Sequence, residues 1–125
     1  MTQTPCIVLG ERDPERRRSI AEALRDEGYE VVETDDGRDV LAYTEYLAAV
    51  MGRRGGPATI ALDSFAVVAG ARLPGLGGTE VQEILRRARW GIPVIVLPER
   101  TEEGADLPML RMRVREALRL GPAVH

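Results

Sequence analysis

The chain has 125 residues, 44% hydrophobic and 30% charged, with a formal net charge of −3. That length suits one domain able to bury its own core, and the negative balance gives no electrostatic case for a nucleic-acid partner. A single cysteine, Cys6, excludes an internal disulfide and a cysteine-based metal cluster, and the opening MTQTPC has neither a basic stretch nor a long apolar run, so no signal peptide, membrane span or membrane partner is expected and the expected location is cytoplasmic. All 17 basic residues are arginine; the chain contains no lysine.

In chain order, CIVLG (6–10) is a short continuous apolar run, the pattern of a strand buried on both faces. Asp13 followed by Pro14 marks a helix start, with a carboxylate at the N-cap and a proline where the backbone N–H has no partner anyway. Ile20, Ala23 and Leu24 give its apolar stripe and Gly28 its stop. YEVVET (29–34) reads as a second strand. Asp35, Asp36 and Gly37 form a turn and cap for a helix in which Val40, Leu41, Thr44, Leu47, Ala48 and Met51 recur at helical spacing. Gly52 ends it.

RRGGP (53–57) reads as a break and ATIAL (58–62) as a brief extended piece, so about 52–62 is taken as an insertion within one domain spanning 1–125. FAVVAG (65–70) is the next strand, followed by the turn-rich ARLPGLGG (71–78). Thr79 or a neighbour caps a helix carrying Val81, Ile84, Leu85 and Ala88, closed by Gly91. IPVIVL (92–97) is a further strand, stopped by Pro98. After a polar loop, Asp106 caps a last helix with Leu107, Leu110, Val114, Ala117 and Leu118 on one face, ended by Gly121 and Pro122. Apolar strands alternating with amphipathic helices imply an α/β fold, a parallel sheet covered on both faces.

Two stretches, CIVLGERDPERRRSIAEALRDEGYEVVETDDGRDVL (6–41) and FAVVAGARLPGLGGTEVQEILRRARWGIPVIVL (65–97), resemble the receiver domains of two-component response regulators. The resemblance covers about half the chain, and its most specific part is the RLPGLGG loop with its flanking strand. It implies a flavodoxin-like, doubly wound parallel sheet of order 2-1-3-4-5 with the site at the carboxyl ends of the strands. The residues after Leu97 hold one convincing helix, where the family has a helix, a strand and another helix. The expectation is therefore a truncated, four-stranded sheet of order 2-1-3-4 with a shortened C-terminal region.

The resemblance also implies a chemistry. In the family a carboxylate takes a phosphoryl group from phosphohistidine while carboxylate-held magnesium neutralises charge, and a lysine and a hydroxyl hold the product. Carried over position by position, the acidic pair falls on Glu11 and Arg12, the phosphoacceptor on Gly70, four residues before Pro74, and the hydroxyl on Pro98. Arginine is a poor substitute for the lysine. These four positions are read as a degenerate phosphorylation site, with no catalytic residue, no metal ligand set and no cofactor, magnesium binding being lost.

Other features carry weaker readings. Asp63, in IALDS, supports a second register in which it is the phosphoacceptor. Asp13 is read as a helix cap rather than a metal ligand. GLGG (75–78) lacks the spacing and the lysine of a phosphate loop. Two readings of Arg12 stand side by side: its guanidinium pairs with Glu11 and fills the empty pocket, or it has no role. The clusters Arg16 to Arg18, Arg86, Arg87, Arg89, Arg111, Arg113 and Arg115 are read as solvated helix faces. Tyr43, Tyr46 and Trp90 are candidate partner contacts, and His125 carries none.

The functional expectation is a non-enzymatic pseudo-receiver: a signalling adaptor that works through protein partners, including a possible homodimer, independently of phosphorylation. Its contact surfaces would be the last helix and an uncovered edge of the fourth strand. The alternatives are a small-ligand or anion sensor at the strand ends near Arg12 and Gly70, and a phosphoacceptor receiver that uses Asp63.

Overall fold

The structure, a computed structural model, describes residues 5–53, 65–88, 92–98 and 107–120. Among them are strands β1 (Cys6–Gly10), β2 (Glu30–Thr34), β3 (Phe65–Gly70) and β4 (Val94–Leu97), and helices α1 (Pro14–Asp26), α2 (Gly37–Arg53), α3 (Gly78–Ala88) and α4 (Leu107–Leu120). The strands form one parallel sheet of order β2-β1-β3-β4. Both the alternation and the strand order match the sequence expectation.

Local chemistry sets the boundaries. Asp13 caps α1, its Oδ1 accepting the N–H of Glu15 at 3.3 Å, with Pro14 in the first helical position. The chain leaves α1 through Gly28 at φ +99°, a backbone state that glycine adopts without strain. Asp36 caps α2 by accepting the N–H of Arg38 at 2.7 Å. Gly37 opens that helix directly against the Leu76 carbonyl, where no side chain fits.

The two inner strands are buried throughout, which is why they read as unbroken apolar runs. Their side chains alternate between two cores. Cys6, Val8, Phe65 and Val67 pack with Val40 of α2 and Val81 and Leu85 of α3. Ile7, Leu9, Ala66 and Val68 pack with Ile20 and Leu24 of α1 and Leu110 and Val114 of α4. Each fully buried side chain of this size contributes about 1.5–3 kcal/mol, so the β1–β3 pair with a helix layer on each face is the stable centre.

Some boundaries differ from expectation. β4 begins at Val94, not Ile92; Pro93 has no N–H for the ladder and contributes only its carbonyl, which accepts the N–H of Val67. At α3 it is a neighbour of Thr79 and not Thr79 itself that stands at the cap: the helix starts at Gly78, and the side chain of Glu80 takes the N–H of Gly77 at 2.9 Å. Ile84 is 40% exposed rather than core, because Val81 and Leu85, four residues apart, already form the ridge facing the sheet. The expected extended piece at 58–62, Trp90 and the caps Gly91, Asp106, Gly121 and Pro122 lie outside the described residues.

Candidate functional site

The chain runs from β1 out to β2 and then returns to place β3 on the other side of β1. The crossover out of β1 leads to β2 on one side and the crossover out of β3 leads to β4 on the other, which opens a crevice between β1 and β3 at the strand carboxyl ends. A cleft of about 340 Å3 lies there, lined by Glu11, Arg12, Arg16, Gly70, Arg72 and Pro98 among others. The structure thus brings the four positions singled out from the sequence, Glu11, Arg12, Gly70 and Pro98, to one place. Asp63 lies outside the described residues.

Glu11 forms the floor. Its backbone N–H continues the sheet by donating to the Thr34 carbonyl at 3.0 Å, and the residue is only 6% exposed. A buried carboxylate needs partners, and it has two. Oε2 accepts the N–H of Asp13 at 3.0 Å, and Oε1 faces Nη1 of Arg16 at 3.4 Å. The same Nη1 donates to the Pro98 carbonyl at 3.1 Å, so one guanidinium joins the ends of β1 and β4.

The neighbouring arginine holds the backbone. Arg17 donates from Nη1 to the Glu11 carbonyl at 2.9 Å, and its Nε lies 3.6 Å from Oε1 of Glu33. Arg25, two turns on, pairs with the other oxygen of Glu33 at 3.0 Å. Gly70 stands across from Glu11 at the end of β3 with no side chain to add.

This arrangement corrects two sequence readings. The cation on Glu11 is Arg16 and not Arg12, which is exposed and makes no hydrogen bond or ion pair with any described residue. Arg16 and Arg17 are not a solvated face; both are partly buried and engaged. The signal for Arg16 was present in the sequence. A cation in the first turn of a helix opposes the helix dipole, so Arg16, three residues after the cap Asp13, needs a compensating anion nearby.

Among the described residues the lining carries no hydroxyl, thiol, imidazole or amine side chain, only guanidinium groups, carboxylates and apolar surface. The chain's cysteine sits at the other end of β1, where burial first and then the Glu30 charge push the Cys6 thiol up from its ordinary pKa. It stays protonated and takes no part in the cleft.

Neither a protein-family model nor a curated protein matches this sequence. Solved structures do. The receiver domain of the hybrid histidine kinase CckA superposes with a TM-score of 0.64 at 25% identity, over 90% of this chain and 98% of that one. A CheY-like response-regulator receiver domain protein from Methanospirillum hungatei JF-1 gives 0.67 at 17% identity, over 94% and 95%. The response regulator TrrA from Thermotoga maritima, in complex with Mg2+–BeF, gives 0.66 at 20% identity, over 90% and 98%.

By architecture the protein is a flavodoxin-like α/β domain. Within that class its fold is that of the receiver domains of response regulators. Among the described residues, no helix is long and apolar enough to cross a membrane.

Proposed function

We propose that this protein is a pseudo-receiver: a signalling adaptor that acts through protein contacts and does not depend on phosphorylation. The observation that carries the reading is at the end of β3, where Gly70 offers no acceptor and Oε1 of Glu11 takes up the space a side chain would need. A phosphoryl transfer requires a nucleophilic carboxylate at that point, and the one nearby is committed to Arg16 and to the N–H of Asp13.

Magnesium does not fit this set of donors. The ion takes hard oxygen ligands in near-ideal octahedral geometry. Here Glu11 is paired with a guanidinium and Asp13 caps α1, while Arg12 and Arg16 add positive charge to the same cleft. Pro98 supplies no hydroxyl at the end of β4.

The contact surface fits a protein partner. On α4, Met109 and Met112 are 62% and 59% exposed, and on α2 Tyr46 is 65% exposed with Tyr43 beside it. Methionine and tyrosine in such settings suit adaptable contact surfaces. Among the described residues β4 pairs only with β3, and the side chain of Gln82 donates to the Val94 carbonyl at 3.2 Å; an edge strand of this kind suits pairing with a partner. A second copy of the chain is one protein that could use this side.

Incubation with acetyl phosphate and magnesium followed by intact-mass measurement tests the reading. The expected spectrum shows no phosphoryl adduct. An adduct that disappears in Asp63→Asn would replace the adaptor by a working receiver. Partner capture on immobilised protein should be equal with and without the phosphodonor and should weaken in Met112→Glu.

A further inference from the structure

We infer that this chain assembles with itself head to tail, α4 of one copy laid against α2 of the next. The inference rests on the reading of α4 as a contact surface and names what occupies it. Among the described residues, the large apolar side chains left exposed are Tyr43 and Tyr46 on α2, Ile84 on α3, and Met109 and Met112 on α4. Apart from Ile84 they fall into two pairs, each three residues apart. That spacing sets both members on one helix face, about 4.5 Å apart along the axis. Apolar groups gathered in this way mark contact sites, whereas single ones do not.

The two helices carry opposite charge. α4 holds four arginines against one glutamate, a net +3. From Asp35 through α2 to Arg53 there are three aspartates and one glutamate against two arginines, a net −2. On each side part of that charge is left over. Arg111 and Arg113 make no hydrogen bond or ion pair with a described residue, and the buried Nε of Arg111 has no acceptor. Asp35, and Glu45 between the two tyrosines, are likewise without a partner among the described residues. On α3, by contrast, Glu83 already holds both Arg86 and Arg87.

One molecule cannot join these surfaces by itself. α2 packs beside α3 on one face of the sheet, and α4 packs beside α1 on the other. The basic methionine face can therefore reach the acidic tyrosine face only on another copy. Since the two surfaces differ, the contact is heterologous and repeats from copy to copy, closing as a ring or extending as a chain. The side chains suit each other: thioether sulfur packs favourably against aromatic rings, and a guanidinium can lie over a tyrosine face. A different protein would have to bring its own acidic aromatic surface, whereas this chain presents both halves.

The test is sedimentation velocity on the full chain up to about 1 mM, at low and at high salt. Expected is reversible assembly that grows with concentration and weakens as salt rises, because the charges lie at the surface. Arg113→Glu and Tyr46→Glu should each associate at least about tenfold more weakly than the parent. Mixed together, they should form a discrete one-to-one complex. In it the intact α4 of the Tyr46→Glu chain docks on the intact α2 of the Arg113→Glu chain, while the two altered faces, both acidic, end the assembly. That complex also shows that both variants are folded. A parent chain that stays monomeric, variants that assemble as the parent does, or a mixture that stays monomeric would overturn the inference. A monomeric parent leaves the adaptor reading standing with another protein on α4, and a phosphoryl adduct would overturn the adaptor reading without touching the assembly.

Discussion

The Cβ that Gly70 lacks would stand 2.8 Å from Oε1 of Glu11. The tips of β3 and β1 therefore share one volume, and the carboxylate occupies it. Gly70 has an ordinary backbone conformation, being absent from the positive-φ glycines. The constraint on position 70 is thus contact and charge rather than backbone strain.

Restoring a carboxylate should fail for that reason. Gly70→Asp must push Glu11 off Arg16 and set two carboxylates side by side, a change expected to cost about 1–3 kcal/mol. Urea denaturation should show a lower midpoint with an unchanged slope. Gly70→Asp/Glu11→Ala should recover most of the loss, whereas recovery in neither background would mean that the strain lies elsewhere.

Arg16 should matter more than its place on a helix surface suggests. Removing it in Arg16→Met leaves the nearly buried Glu11 without its cation and Pro98 without its donor, and a loss of about 1–3 kcal/mol follows. In a double-mutant cycle with Glu11→Gln the two changes should be coupled by about 1 kcal/mol. Strict additivity in that cycle would show that the pair contributes nothing to stability.

Two glycines should respond differently to alanine. At Gly37 the new Cβ would run into the backbone carbonyl of Leu76, so the turn before α3 must shift, at about 3 kcal/mol. At Gly28 the space is open and only the left-handed φ of +99° opposes a side chain, at about 1 kcal/mol. Thermal melts of Gly37→Ala and Gly28→Ala, run together, check the ranking.

Stability should fall on the alkaline side. Burial raises the Cys6 pKa above its ordinary 9.0, with Glu30 adding to the rise. Burial and then Glu27 likewise raise that of Tyr29, against the opposing charge and hydrogen bond of Arg115. In each case the unfolded chain releases its proton first. The stabilisation is complete below the unfolded pKa and is lost as pH rises through the folded one. Urea midpoints should be flat from pH 7 to about 8.5 and then decline, less steeply in Cys6→Ala. The native thiol should react with a disulfide reagent no faster than the protein opens.

The scaffold was legible because burial on both faces leaves an unmistakable imprint. CIVLG and FAVVAG are all-apolar and were bounded to the residue as β1 and β3. Their order also followed from the likeness of the flanking segments to receivers. The shifted edge at Ile92 and the cap left open between Thr79 and a neighbour lie where proline and glycine trade N–H groups with nearby side chains and carbonyls, which periodicity does not report. Glu11, Arg12, Gly70 and Pro98 could be placed together by counting from strand ends. Arg16 was lost among its neighbours because RRR reads as surface charge; its first-turn position hinted at an anion nearby, and the three-dimensional reach from α1 across Gly70 to Pro98 supplies the partners.

That reach has a dynamic consequence. Nη1 of Arg16 holds Glu11 on β1 and the Pro98 carbonyl just beyond β4, with β3 between them. The tip of the edge strand cannot fray without the guanidinium leaving Pro98, and the guanidinium cannot swing far without loosening Glu11 beneath Gly70. Opening at the sheet's margin and repacking at its centre are one event, so amide exchange at Leu97 and at Asp13 should share a common rate.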